Sequence, residues 1–177
     1  MNVGLLILRI VVGAMFFGHG TQKLFGWFGG HGPQGTGQFY EGIGFRPGVA
    51  MAVIAGMSEA GGGTLLAMGL LTPLGAAAII GVMVSASLAV HAKNGLWNTN
   101  GGYELPLAYA TAAASVVFTG PGRFSLDRAI GWDLAGVGWG LGAIALGFAA
   151  ASIPLSRRSM QLRRQPPGAR DRERPAA

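Results

Sequence analysis

Apolar residues fill this chain in five stretches, at about 3–22, 49–71, 73–92, 103–120 and 134–153, with polar or helix-breaking residues between them. Each stretch approaches the roughly 20 residues that an α-helix, rising about 1.5 Å per residue, needs to cross a hydrocarbon core about 30 Å thick. Their limits are marked by Arg46-Pro47-Gly48 before the second, Thr72-Pro73 between the second and third, Gly120-Pro121-Gly122 after the fourth and Pro154 after the fifth. The pattern predicts an all-α membrane protein, a four-helix transmembrane bundle core plus a fifth C-terminal transmembrane helix. The connection at 71–74 is so short that the second and third helices must form an antiparallel hairpin. The 23–48 connection is long and glycine-rich, with Trp27, Phe28, Phe39 and Tyr40. Aromatic rings favour the headgroup level, so a re-entrant or interfacial segment and a plain flexible loop both remain open here.

Alternation through five spans puts the 23–48 loop, the 93–102 loop and the C-terminal tail on one face. That face holds Lys23, Arg46, Lys93 and seven arginines from Arg157 onward, whereas the other holds only Arg123 and Arg128 outside the spans. The positive-inside rule therefore predicts a cytoplasmic tail face and an external N-terminus. The N-terminal stretch lacks a basic leader region and a cleavage site, so it is expected to stay as the first membrane helix.

Composition agrees with a membrane protein: 50% of the 177 residues are hydrophobic and 11% charged, against about 25% charged in soluble domains. Most of the net charge of +6 belongs to 157–177, where seven arginines face Asp171 and Glu173 for a net of +5. Without interleaved aromatics or a nucleic-acid motif, this segment is expected to be a basic, disordered cytoplasmic tail next to the bilayer rather than a nucleic-acid surface. The 32 glycines lie inside apolar runs, where small residues let helices approach closely. Gly61, Gly62 and Gly63 are candidates for such packing beside Glu59. So are the overlapping pairs Gly136 with Gly140 and Gly138 with Gly142, within one chain or between copies in a homo-oligomer.

Two full charges interrupt the apolar runs, Arg9 in LLILRIVVGAMFF and Glu59 in VAMAVIAGMSEAGGGTLLAMGLL. A charge at the bilayer centre costs at least about 2.5 to 3.5 kcal/mol, so such residues face the bundle interior and find partners. Arg9 lies roughly 9 Å and Glu59 roughly 18 Å from the outer end of their helices. An Arg9–Glu59 ion pair is therefore expected, either as a folding-specificity pair or as part of a functional site.

A second group gathers toward the tail face. His19 and Lys23 share a helical side, His91 closes the third helix, and Tyr103 and Glu104 open the fourth. These are either ordinary helix-end residues or a pocket that binds a quinone head group or relays protons, with haem or metal ligation a third reading. No HxxxH, ExxH or CxxCH spacing supports a metal or haem site, and the run 59–63 is no phosphate loop because no Lys-Ser/Thr follows it. There are no cysteines, so electrons handled by this protein would have to be carried by a bound cofactor or a partner.

Several of these residues stand in ordered motifs: Leu8-Arg9-Ile10 with Gly13, Phe17-Gly18-His19-Gly20 with Lys23-Leu24-Phe25-Gly26, and Glu59-Ala60-Gly61-Gly62 with Leu66, Gly69-Leu70 and Thr72. His91, Gly101-Gly102-Tyr103-Glu104, Gly120-Pro121-Gly122 and Ser125-Leu126-Asp127 follow. Together, over about 5–127, they resemble the DoxX family of small bacterial membrane proteins. The resemblance implies a four-helix core at 1–128 in a bacterial cell membrane, to which this chain adds a further helix at 129–156 and the tail at 157–177. It also implies a component of a quinone-linked membrane oxidoreductase system. The alternatives are a noncatalytic membrane subunit that holds a soluble or membrane redox partner, and a small-solute or proton pathway. The resemblance brings no assigned catalytic residues.

Overall fold

With so many glycines inside apolar segments, helices here can meet backbone to backbone. The computed structural model, which describes residues 2–164, is built that way. Its long helices are α1 (Asn2–Phe25), α3 (Gly48–Met68), α4 (Thr72–Ala86), α5 (Glu104–Thr119) and α7 (Val137–Arg164). The short ones are α2 (Gly32–Gly42) and α6 (Leu126–Ala129). A wider turn at Ser87–His91 and a tighter one at Ala92–Asn94 carry α4 onward. Among the described residues four helical segments are long and apolar enough to cross a membrane, Asn2–Phe25, Gly48–Met68, Thr72–Asn94 and Val137–Arg164. The expected fourth span, α5, is a shorter apolar helix of 16 residues, about 24 Å long.

α1 runs antiparallel to α3 at a separation that only glycine permits. A Cβ on Gly63 would lie 2.5 Å from the Gly13 carbonyl oxygen, and one on Gly20 would lie 2.6 Å from that of Gly56. Both helices thus place a glycine at the contact every seven residues, close to two turns. α4 occupies the centre, packed on α3, α5 and α7, with Ile79 and Ile80 against Phe16, Leu66, Val116 and Val117 in the core.

Of the candidate packing glycines, Gly62 meets Ala78 and Gly75 on α4, Gly63 meets α1 and Gly140 meets the Phe118 ring. Gly61, Gly138 and Gly142 face open space instead, and Gly136 lies in the turn before α7 with φ 95°. Gly136 donates its N–H to the Val117 carbonyl at 3.1 Å.

Two boundaries differ from the expectation. The 23–48 connection is not a plain loop: it holds a single turn at Trp27–Gly29 and the helix α2, packed on α3 and α1. Pro154 does not end the last helix, which continues to Arg164 through the start of the expected tail. Contacts beyond the proline explain this. Arg158 donates from Nε to the Ile43 carbonyl (2.7 Å) and from Nη2 to the Ala89 carbonyl (3.3 Å), and Gln161 donates to the Arg46 carbonyl (3.3 Å). Such anchoring outweighs the one backbone donor a proline removes. The rest of the expected tail, 165–177, lies outside the described residues.

Candidate functional site

The register between α1 and α3 decides which partners the two buried charges meet. Gly13 is opposite Gly63 and Gly20 opposite Gly56, so Arg9 is level with Ala67. That is about eight residues, or roughly 12 Å along the axis, from Glu59. The expected Arg9–Glu59 pair does not form, because the helices are offset by more than an arginine can span.

Arg9 is fully buried at the N-terminal end of the bundle. It donates from Nη1 to the Ala67 carbonyl (3.2 Å) and from Nη2 to the Phe124 carbonyl (2.7 Å). The charge of Asp127, also fully buried, acts on it. Asp127 caps the start of α4 from a distant part of the chain. Its Oδ1 accepts from Leu71 N–H (2.7 Å), and its Oδ2 accepts from Thr72 N–H (3.0 Å) and the Thr72 hydroxyl (2.6 Å). Leu71 is held in the left-handed region, with φ 46° and ψ 45°, a conformation disfavoured for a residue with a branched side chain. The Asp127 bond to its N–H is one of the contacts that hold it there. The hydrogen bonds of Arg9 and Asp127 make this end of the molecule a polar lock.

Glu59, 3% exposed, pairs with Lys23, whose Nζ donates to Glu59 Oε2 at 2.5 Å. The pair borders a cavity of about 660 Å³ enclosed by α1, α2, α3, α4 and α7. Most of its surface is apolar, contributed by residues such as Phe45, Met51, Ile54 and Val82, while Lys23, Glu59, Tyr40, His31 and His91 supply polar groups. Tyr40 arrives on α2 with its ring beside Phe39 and Phe45. Burial pushes its phenol well above the ordinary range and the nearby Glu59 charge pushes it further, so it remains a hydroxyl donor. His91 donates from Nδ1 to the Gly101 carbonyl at 2.7 Å, since a carbonyl only accepts. In the neutral ring that leaves Nε2 as an acceptor.

Of the five residues expected to form a pocket, Lys23 and His91 line this cavity and His19, Tyr103 and Glu104 do not. His19 is exposed on α1, with its Nδ1 3.2 Å from Gln22 Oε1. Glu104 accepts from the Asn98 N–H at 2.8 Å and so braces the loop before α5. Tyr103 ties into the same loop through its backbone N–H, which donates to the Gly95 carbonyl. Glu59 moves from the expected Arg9 pair into the cavity wall. His31 and Tyr40 were not among the expected site residues. Thr36, Phe39, Tyr40 and Ile43, spaced three and four apart, carry the helical signal that marks α2 and its cavity-facing side. Among the described residues no group of three or more His, Asp or Glu is placed to hold a metal ion.

The DoxX family model matches residues 4–92. The match takes in α1 to α4 and the segment that carries Lys23, Tyr40, Glu59 and His91, half of the chain. This chain belongs to the DoxX family. It is thus a DoxX membrane protein whose matched segment supplies every helix around the cavity except α7. No curated protein and no solved structure matches the chain.

Proposed function

We propose that this DoxX protein is a quinone-binding component of a redox system in a bacterial cell membrane. The reading rests on one observation, the Lys23–Glu59 pair in the wall of a largely apolar cavity between helices long and apolar enough to span a membrane. Small-molecule sites run from about 300 to 1,000 Å³ and are mostly apolar with a few converging polar groups, and the 660 Å³ cavity falls within that range.

The residues present suit a ring with carbonyl acceptors. The Lys23 ammonium carries three donors and spends one on Glu59, leaving others for a ring carbonyl. Tyr40 keeps its hydroxyl proton and can donate as well. Glu59 and His91 are groups that can hold or hand over a proton beside the ring. A quinone supplies two-electron, two-proton chemistry when bound, and in a chain without cysteine the electrons arrive from a soluble or membrane redox partner. The basic end of α7 and the loops at the same end of the bundle, read as cytoplasmic by their charge, give that partner a side to approach from.

Purification in mild detergent, solvent extraction of bound quinone and a binding titration test the proposal. Quinone should accompany the wild-type protein and be lost from the double variant Lys23→Met/Glu59→Leu, which removes both charges together and so avoids an unpaired one. A wild-type preparation that neither carries nor binds quinone would leave a noncatalytic membrane subunit as the better account.

A further inference from the structure

The cavity is partly covered toward the tail end and open toward the side between α3 and α7. At the tail end, the segment after α2 is stapled to α7. Arg158 holds the Ile43 carbonyl at 2.7 Å, and its guanidinium lies 5.7 Å from the centre of the Phe45 ring. Phe45 itself is only 8% exposed.

The side is different. α3 and α7 both pack on α4 but have no substantial contact with each other. Between them a stripe on α4 is only partly covered: Ala78, Val82, Ser85 and Ala89, spaced four, three and four residues apart, all line the cavity and all remain partly exposed, with Ala78 also touching Gly62 of α3. The stripe is about 16 Å long. Ile54, on the α3 edge, lines the same cavity and is nevertheless 56% exposed, so the cavity reaches the outer surface of the bundle there. Ala78, Val82 and Ile54 lie within apolar segments fit to span the bilayer. The opening thus lies along segments whose length and composition suit the hydrocarbon layer.

We infer that the ligand is a membrane-dissolved amphiphile that enters sideways between α3 and α7, its single apolar chain lying along the Ala78–Ala89 stripe and its neutral carbonyl head reaching Lys23. The head group rests on the quinone reading; the route and the chain site do not. Small side chains at Ala78, Ser85 and Ala89 leave room for an apolar chain along α4. Along it only the Ser85 hydroxyl can hydrogen-bond, so a charged or multiply polar ligand would lose most of its hydration on the way in.

Two measurements separate this inference from the reading beneath it. Ser85→Phe fills the slot on the α4 stripe. A long-tailed isoprenoid quinone should bind this variant about tenfold or more weakly, the equivalent of losing the burial of about two methylenes. A tail-less ring quinone should bind it as it binds the wild type. Equal binding of both quinones by the variant, or equal loss of both, would overturn the lateral chain site while leaving the head-group reading to stand on the wild-type titration. If the wild type binds neither quinone, the quinone reading fails and the slot is judged separately. Because the chain has no cysteine, Val82→Cys carries a single nitroxide label in lipid vesicles. Strong relaxation by oxygen with little by a water-soluble nickel chelate supports the slot as a lipid-facing entry, and the reverse pattern overturns it.

Discussion

Lys23 and Glu59 hold each other in place across α1 and α3, and neither is easily left alone. Glu59 is nearly inaccessible and Lys23 keeps about a fifth of its side-chain surface, with exposures of 4% and 20%. Removing one partner of a buried pair costs about 3–5 kcal/mol, and the residual exposure of Lys23 points to the lower end. Lys23→Met alone is therefore expected to lower the thermal unfolding midpoint in detergent sharply, whereas Lys23→Met/Glu59→Leu recovers most of the loss. A double variant as unstable as the single one would show that the two side chains do not act as a pair. Tyr40 leads to a pH effect of definite sign. Its folded-state ionisation is pushed up by burial and then by Glu59, so the unfolded chain releases the phenol proton first, at about pH 10. The stability this contributes is complete below that pH and falls as the pH rises beyond it. Unfolding midpoints of Tyr40→Phe measured from pH 8 to 11 should decline less steeply than those of the wild type. At this scale the sequence marked out Arg9, Glu59, Lys23 and His91 as unusual, since charge and imidazole in or beside apolar runs stand out without any structure. It could not pair them, because pairing depends on an offset between helices that no single residue encodes.

That offset belongs to the helices, where glycine decides it. Gly13 and Gly20 on α1 face Gly63 and Gly56 on α3 at backbone contact, which sets Arg9 opposite Ala67 and Lys23 about six residues from Glu59, a gap their side chains close because each leans toward its own helix N-terminus and so toward the other. A methyl group at Gly63 would push the two helices apart, at a cost of about 1–3 kcal/mol for overpacking. At Gly61 it would meet open space, and replacing a mid-helix glycine by alanine there should stabilise by about 0.5–1 kcal/mol. Gly63→Ala should thus lower the unfolding midpoint and Gly61→Ala leave it level or raise it, although the two positions lie in one Gly-Gly-Gly run. The same contrast separates the legible from the illegible. Length and apolar composition located the spans to within a few residues at most ends, but could not say which glycine of three faces a neighbour. Pro154 misled for a related reason, since a local breaker was outweighed by Arg158 and Gln161 reaching carbonyls of the segment between α2 and α3.

Across the whole molecule, the contacts of Arg158 put the end of α7, the segment after α2 and the turns after α4 at one end, while Asp127 and Arg9 put the α3–α4 turn and the loop after α5 at the other. This is the alternation the five apolar stretches imply, and the excess of arginine and lysine at the first end predicts that it faces the cytoplasm. Single cysteines introduced as Arg128→Cys and Ser159→Cys in the cysteine-free chain test it in intact cells. A membrane-impermeant thiol reagent should label the first and spare the second, and the opposite pattern would invert the assignment. The cap that Asp127 places on α4 bears on where the chain can be cut. In the finished fold the disfavoured conformation of Leu71 and the first amide of α4 are met by a carboxylate 55 or more residues further along the chain. The family-matched segment 4–92 therefore does not contain the acceptor that closes its α3–α4 turn, and a chain cut before Asp127 is expected to lose that cap.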